Sequence, residues 1–191
     1  MKVYTAQLRS ESPLSFGKRI SPIEFPPYDK EQPGDYDQRL WRERAHYDAT
    51  GQCFVPPMMI KNCVAAAAKY LNIKIPGQRS STYSKHFDSG LLLTQTIPLG
   101  VQKNDLKSET VYVPSDGVRG GSKRVDRTFP IIHDWQGSVE LIVLDEILKA
   151  DIAHHVLSQA GAFIGLGRFR PAKGGFYGRF SVLDFALTGG N

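Results

Sequence analysis

The alternation of apolar and polar positions is clearest at the two ends of the chain. In residues 2–9, Val3, Thr5, Gln7 and Arg9 alternate with Tyr4, Ala6 and Leu8, a period of two that predicts a strand with one buried face. Ser138–Leu144 and Phe176–Ala186 read as strands in the same way, and Leu91–Leu99 and Thr110–Val113 as a longer and a shorter one. Between them the period changes. Ile60, Val64, Ala67 and Leu71 fall at i, i+4, i+7 and i+11 behind Pro56 and Pro57. That is the apolar stripe of a helix opened by proline, whose missing N–H is not needed in the first turn. A second helix is expected from Asp151, as cap, to Ala160, with Gly161 as its stop.

The order strand, helix, strand, strand, helix, strand is βαββαβ, so the expected fold class is α+β, ferredoxin-like and RRM-like. Proline and glycine interrupt it. Residues 10–55 hold Pro13, Pro22, Pro26, Pro27 and Pro33 among many charges, with a short helix expected at Asp37–Arg44. A second irregular excursion is expected at about 114–130, and Ile164–Phe169 is expected to be extended within a C-terminal glycine-rich loop. Loops of this length usually carry function. At 191 residues and 41% hydrophobic content, the chain reads as one domain, 1–191, with large insertions.

Charge sharpens the picture. The net charge is +5, and it is unevenly placed. Residues 152–183 contain no acid but hold Arg168, Arg170, Lys173 and Arg179, while residues 117–127 hold Arg119, Lys123, Arg124 and Arg127 against Asp126 alone. Acids such as Asp29, Glu31, Asp35 and Asp37 lie elsewhere. Segregation of this kind points to a basic face for a polyanion. In the segment from Gly161 to Phe180 the aromatic residues Phe169, Phe176, Tyr177 and Phe180 are interleaved with the cations and with Gly165, Gly167, Gly174, Gly175 and Gly178. Aromatic rings offer stacking faces to unpaired bases, and glycines let backbone N–H groups approach a phosphate. A tight hairpin with core aromatics is the alternative. A dinucleotide fingerprint fits poorly, because the segment follows a helix and does not join a first strand to one.

Three segments in order resemble the repeat-associated mysterious protein (RAMP) superfamily of CRISPR systems. Ser12-Pro13-Leu14-Ser15 after the first strand is similar to that family's strand followed by S-P-L. Phe54-Val55-Pro56-Pro57-Met58-Met59-Ile60-Lys61-Asn62 is similar to its I-P-G-S-S-L-K-G, preceded here by Asp48-Ala49-Thr50-Gly51, which resembles D-P-x-T-G. The stretch Gly161–Gly178 resembles the C-terminal G-x-x-x-x-G-x-G-R loop. Pro57, Met58, Met59 and Asn62 depart from the pattern and mark a divergent member, of the kind a phage or mobile element would encode. The resemblance implies a subunit similar to the backbone protein that polymerises along guide RNA. There, the lysine-bearing helix start and the glycine loop grip phosphates and a thumb-like insertion reaches the neighbouring subunit. Lys61 and the segment with Gly165, Gly167, Arg168, Arg170, Lys173, Tyr177 and Arg179 map onto the grip. The 114–130 excursion, with Arg119, Lys123, Arg124 and Arg127, matches the thumb by position.

The implied partners are single-stranded RNA or DNA, copies of the chain itself and other CRISPR-complex subunits. Two rival readings belong to other classes: an endoribonuclease that processes guide RNA, and a phage-encoded protein that blocks a host CRISPR complex by mimicking its backbone subunit. For catalysis the candidates are His46 and Asp48, both in the loop from which relatives supply cleaving groups. His154 and His155 point about 100° apart on a helix and read as surface residues. No metal ligand set and no cofactor are expected, and Cys53 and Cys63 read as buried thiols. No stretch reaches the roughly 18 apolar residues of a membrane span, so a cytoplasmic protein is expected.

Overall fold

The computed structural model describes residues 1–115, 120 and 123–190. In chain order its elements are β1 (Lys2–Ser10), β2 (Leu14–Ser15), α1 (Pro33–Leu40), β3 (Gln52–Val55), α2 (Pro57–Leu71), α3 (Ser84–Ser89), β4 (Leu91–Leu92), β5 (Ile97–Gln102), β6 (Lys107–Pro114), β7 (Arg124–Ile132), β8 (Gln136–Val143), α4 (Ala150–Gln159) and β9 (Phe180–Gly190). The strands form mixed α+β architecture with antiparallel sheets. One has the order β4-β8-β1-β9, a second β2-β7-β6, and the third is the pair β3-β5.

The alternation in β1 does what its period dictates. Tyr4 and Ala6 face the core beside their cross-strand partners Leu141 and Val139, while Thr5 and Gln7 lie opposite Glu140 and Ser138 on the polar face. The helix α2 covers the core with Ile60, Cys63, Val64, Ala67 and Ala68. Its start is fixed by Pro57 in the first turn, and its end by Asn72, which turns left-handed (φ 48°) and donates its N–H to Ala68 O. Ile60 is fully buried, so truncating it to alanine should cost about 2–5 kcal/mol.

The second helix departs from expectation at both ends. Lys149, not Asp151, precedes the first turn of α4 and makes no side-chain cap. Asp151 lies inside that turn, where its charge still suits the helix dipole. Gly161 does not stop the helix. The chain continues through a π-turn, Ala160–Ile164, because Gly161 packs directly on Phe180, where a Cβ would lie 2.0 Å from the carbonyl oxygen. The stop is Gly165, at φ +72°. Ile164 therefore ends a helical turn and does not begin an extended segment.

Three further expectations are corrected. Leu91–Leu99 is not one strand; β4 and β5 belong to different sheets. The excursion at 114–130 is not irregular throughout, since Arg124–Ile132 forms β7 and pairs with β6 from Lys107↔Ile131 to Pro114↔Arg124. Residues 10–55 contain β2, α1, a 3-10 turn at Trp41–Arg44 and β3. They also place Leu14, Phe16 and Trp41 in the same apolar cluster as Leu141 and Val64, so this stretch contributes to the core.

Candidate nucleic-acid interface

The β6–β7 hairpin and the glycine-rich loop after α4 face each other across a cavity of about 1030 Å³. That volume lies at the upper end of the range for small-molecule sites. The hairpin contributes Glu109, Arg124, Arg127 and Phe129. The loop contributes Arg168, Phe169, Lys173, Phe176 and Tyr177, and Arg44 reaches in from the 3-10 turn after α1. Among the described residues, five cations line the cavity against the single carboxylate of Glu109.

Arg168 is the centre of the arrangement. Its guanidinium carbon lies 3.1 Å from the ring centroid of Phe129 and 4.0 Å from that of Phe169. Phe129 is buried, while Phe169 is 38% exposed and presents ring surface to the cavity side. The Nη1 atom of Arg168 is shielded from water and has no hydrogen-bond partner among the described residues. Burial, with repulsion from Arg44 and Arg127, pushes the Arg168 guanidinium down to about 10. A charge held in this way is stabilised by an anion brought from outside.

Two other cations are aimed by one acid. Asp37, on the buried side of α1, meets Arg44 at 2.5 Å and Arg127 at 3.5 Å. Arg127 also donates to Ser115 O at 2.9 Å. Across the cavity, Tyr177 donates its hydroxyl to Glu109 Oε1 at 2.6 Å, and burial, together with this contact, pushes the phenol up to about 12.

The glycine loop is built by close backbone packing. Gly167, at φ +69°, lies so near β2 that a Cβ would meet Ser15 O at 2.3 Å. The next residue, Arg168, donates its N–H to that same oxygen at 2.9 Å. Ser12 accepts from Arg179 N and donates to Phe176 O, and Gly178 N donates to Pro13 O at 2.7 Å. Two of the segments that carry the sequence resemblance are thus joined in space. The N–H groups of Gly165, Gly174, Gly175 and Gly178 are taken up within the protein. Those four N–H groups are therefore not free for a phosphate; these glycines shape the loop, and side chains present the charge.

Of the residues singled out from sequence, Arg124, Arg127, Arg168, Lys173 and Tyr177 come together in this cavity. Lys123 is exposed next to Arg124, and Arg119 lies outside the described residues. Arg170 donates to Gly167 O at 3.1 Å and Arg179 to Ala162 O, so both tie the loop together. Lys61 is elsewhere: its Nζ donates to Phe87 O and Leu91 O, each at 2.6 Å, joining α2 to α3 and β4, and burial lowers its pKa. Asp48 accepts from Thr50 N, Thr50 Oγ1 and Gln52 N and closes the turn before β3. These bonds hold it below the usual carboxylate range. His46 packs between Phe16 and Phe54, and burial lowers its pKa. Neither lines the cavity. Cys53 and Cys63 are buried free thiols pushed up to about 11 and about 12 by burial. Sequence reading missed Arg44, Phe129, Glu109 and the aiming role of Asp37.

No protein-family model matches the sequence, and no curated protein matches it. Solved structures do. The chain is similar to a chain of the Type III-B Cmr-beta complex bound to cognate target RNA, with a TM-score of 0.57 and 13% identity, over 97% of this chain and 60% of that one. It is also similar to Cmr6 from Pyrococcus furiosus (TM-score 0.49, 13% identity, 95% of this chain and 99% of that one). A third likeness is to a chain of a CRISPR RNA-guided surveillance complex (TM-score 0.42, 9% identity, 94% and 66%). This chain spans only about three fifths of the Cmr-beta chain it matches. That likeness runs over nearly the whole of this chain: the chain has a RAMP-like fold.

Proposed function

We propose that the chain is a single-stranded RNA-binding subunit of a CRISPR-type ribonucleoprotein, and that it grips the strand in the cavity between the β6–β7 hairpin and the glycine-rich loop. The observation that carries this reading is Arg168, a desolvated guanidinium set among Arg44 and Arg127 with one nitrogen unpartnered among the described residues. Phosphates bring the counter-charge that this cluster of cations lacks as a whole, and Phe169 and Phe176 supply ring surface for unpaired bases. A chain of similar fold belongs to an assembly bound to target RNA. The sheet order β4-β8-β1-β9 supports a ferredoxin-like reading in which β1, α2, β4, β8, α4 and β9 are the βαββαβ core. In that reading the β6–β7 hairpin is the thumb-like element, which reaches along the strand toward a neighbouring copy or another subunit of a cytoplasmic, phage-encoded or host assembly.

The test is direct. The purified protein is titrated into fluorescently labelled RNA and DNA 30-mers of mixed sequence, and whatever nucleic acid co-purifies with it is sequenced. Binding of RNA at low salt, competed by unlabelled RNA and lost in Arg168→Ala, is the expected result. An intact fold with no affinity for either strand at 50 mM salt would overturn the proposal.

A further inference from the structure

Three side-chain atoms of the cavity lining lack hydrogen-bond partners among the described residues, and they are of opposite kinds. Arg44 Nε and Arg168 Nη1 are donors and Glu109 Oε2 an acceptor, and all are shielded from water. Arg44 already has Asp37 as its counter-charge, whereas among the described residues no ion pair joins Arg168 to Glu109. Glu109 is nevertheless held in place, because its other oxygen accepts from Tyr177 at 2.6 Å. Buried polar atoms left open are costly, and each needs a physical explanation. A pure phosphate grip explains Arg168 but not Glu109. A carboxylate in the wall of a cationic cavity repels phosphate and weakens such a grip.

A ligand that offers an acceptor and a donor side by side satisfies Arg168 Nη1 and Glu109 Oε2 together. We propose that Arg168 and Glu109 read the edge of one guanine base, while the adjoining phosphates lie on Arg44, Arg124, Arg127 and Lys173. The inference rests on the RNA-binding reading and names which nucleotide the site prefers. Guanine presents O6 and N7 as acceptors, for which arginine is the commonest partner. Next to O6 it presents N1–H and the N2 amine, two adjacent donors that fit a carboxylate. Uracil has one N–H flanked by two carbonyl oxygens, which a carboxylate repels. Adenine has no O6, and cytosine has no N–H beside its amine. Unpaired RNA bases are read on these edges while stacked on aromatic rings, and Phe169 and Phe176 are the exposed rings of the cavity. Because Oε2 and Nη1 are covered, the base displaces part of the lining as it seats. Affinity still comes mainly from phosphates, so the preference is confined to one position of the strand.

The test uses the full chain and 11-nucleotide RNAs: all uridine, or uridine with a single central guanosine, adenosine, cytidine or inosine. By anisotropy, the guanosine oligomer should bind about tenfold tighter than the all-uridine one, the effect of one good base-edge contact. Inosine, which lacks the N2 amine, should lose several-fold of that gain. Glu109→Gln removes a negative charge and half of the acceptor. It should bind the all-uridine strand more tightly than wild type does, with the guanosine preference reduced to less than about twofold. Equal wild-type affinity for all five strands, inosine equal to guanosine, or a full preference retained in Glu109→Gln would each overturn the proposal. If no strand binds at low salt, it is the RNA-binding reading that fails; tight binding of all strands alike sinks only the guanine site. The inosine arm needs no variant, so the result stands even if Glu109→Gln folds poorly.

Discussion

Asp37 meets Arg44 at 2.5 Å, with both side chains only 12% exposed, and its other oxygen lies 3.5 Å from Arg127. One carboxylate on α1 therefore aims two cations from separate elements into one cavity. The substitution Asp37→Asn sets two effects against each other. As a change of charge alone it adds one net positive unit and should tighten RNA binding. As a loss of aim it should weaken binding. A charge-assisted contact of this kind is worth about 1–3 kcal/mol, and the charge change near a solvated strand less, so weakening by roughly fivefold is expected. Tighter binding in a titration would mean that Asp37 does not orient the site.

Arg168 should destabilise the free protein. Burial pushes its guanidinium down to about 10, below the ordinary arginine range, so the folded chain holds this proton less firmly than the unfolded one does. By linkage the penalty is fully present below about pH 10 and is relieved only as pH rises above it. At neutral pH the group is charged and the penalty stands. Arg168→Met keeps a chain that packs on Phe129 and should leave Tm unchanged or raise it. RNA at a hundred times Kd should stabilise wild type by about 2.7 kcal/mol, or roughly 5–10 °C for a chain of this size. The variant should show little of that shift in a thermal melt. A variant that melts lower and shifts as much as wild type would contradict this account.

What could be read from sequence was local. Arg124, Arg127, Arg168, Lys173 and Tyr177 lie in two short segments whose composition already set them apart. Arg44 does not stand out, because it sits in a run with Glu43 and its role comes from Asp37, seven residues earlier, and from a strand some 80 residues later. The strand β7 was hidden by Pro130, since proline within a run argues against a strand interior. The structure shows why it is tolerated. Pro130 O accepts from Phe16 N at 3.3 Å, so the proline nitrogen faces the same side, just past the end of the two-residue β2. No bond to β6 is lost there. Glu109 gave no signal, being one acid in an alternating strand.

Lys61 is expected to matter for stability and not for RNA. Its ammonium joins α2 to the carbonyls of Phe87 and Leu91 at 2.6 Å each. Lys61→Met leaves two carbonyls without their charged donor and should cost about 1–3 kcal/mol in urea unfolding. The folded variant should bind RNA as wild type does. A stable Lys61→Met protein with weakened binding would return this lysine to the phosphate grip.

The grip itself predicts a salt dependence that can be taken apart cation by cation. For single strands the slope of log affinity against log salt is about −0.7 for each phosphate neutralised. Five cations line the cavity. If each meets a phosphate, the slope approaches roughly −3.5, and raising salt from 50 to 200 mM weakens binding about a hundredfold. Any cation engaged with a base lowers the figure, so with Arg168 on guanine the slope for the guanosine oligomer falls to about −2.8. Arg124 is exposed on the hairpin and makes the simplest subtraction. Arg124→Ala should reduce the slope by about 0.7. Its affinity should fall at 50 mM salt and approach that of wild type as salt rises. Asp37→Asn should differ, weakening binding with its full set of cations still present. A wild-type slope near zero would reject electrostatic binding, and an unchanged slope in Arg124→Ala would place the strand away from the hairpin wall.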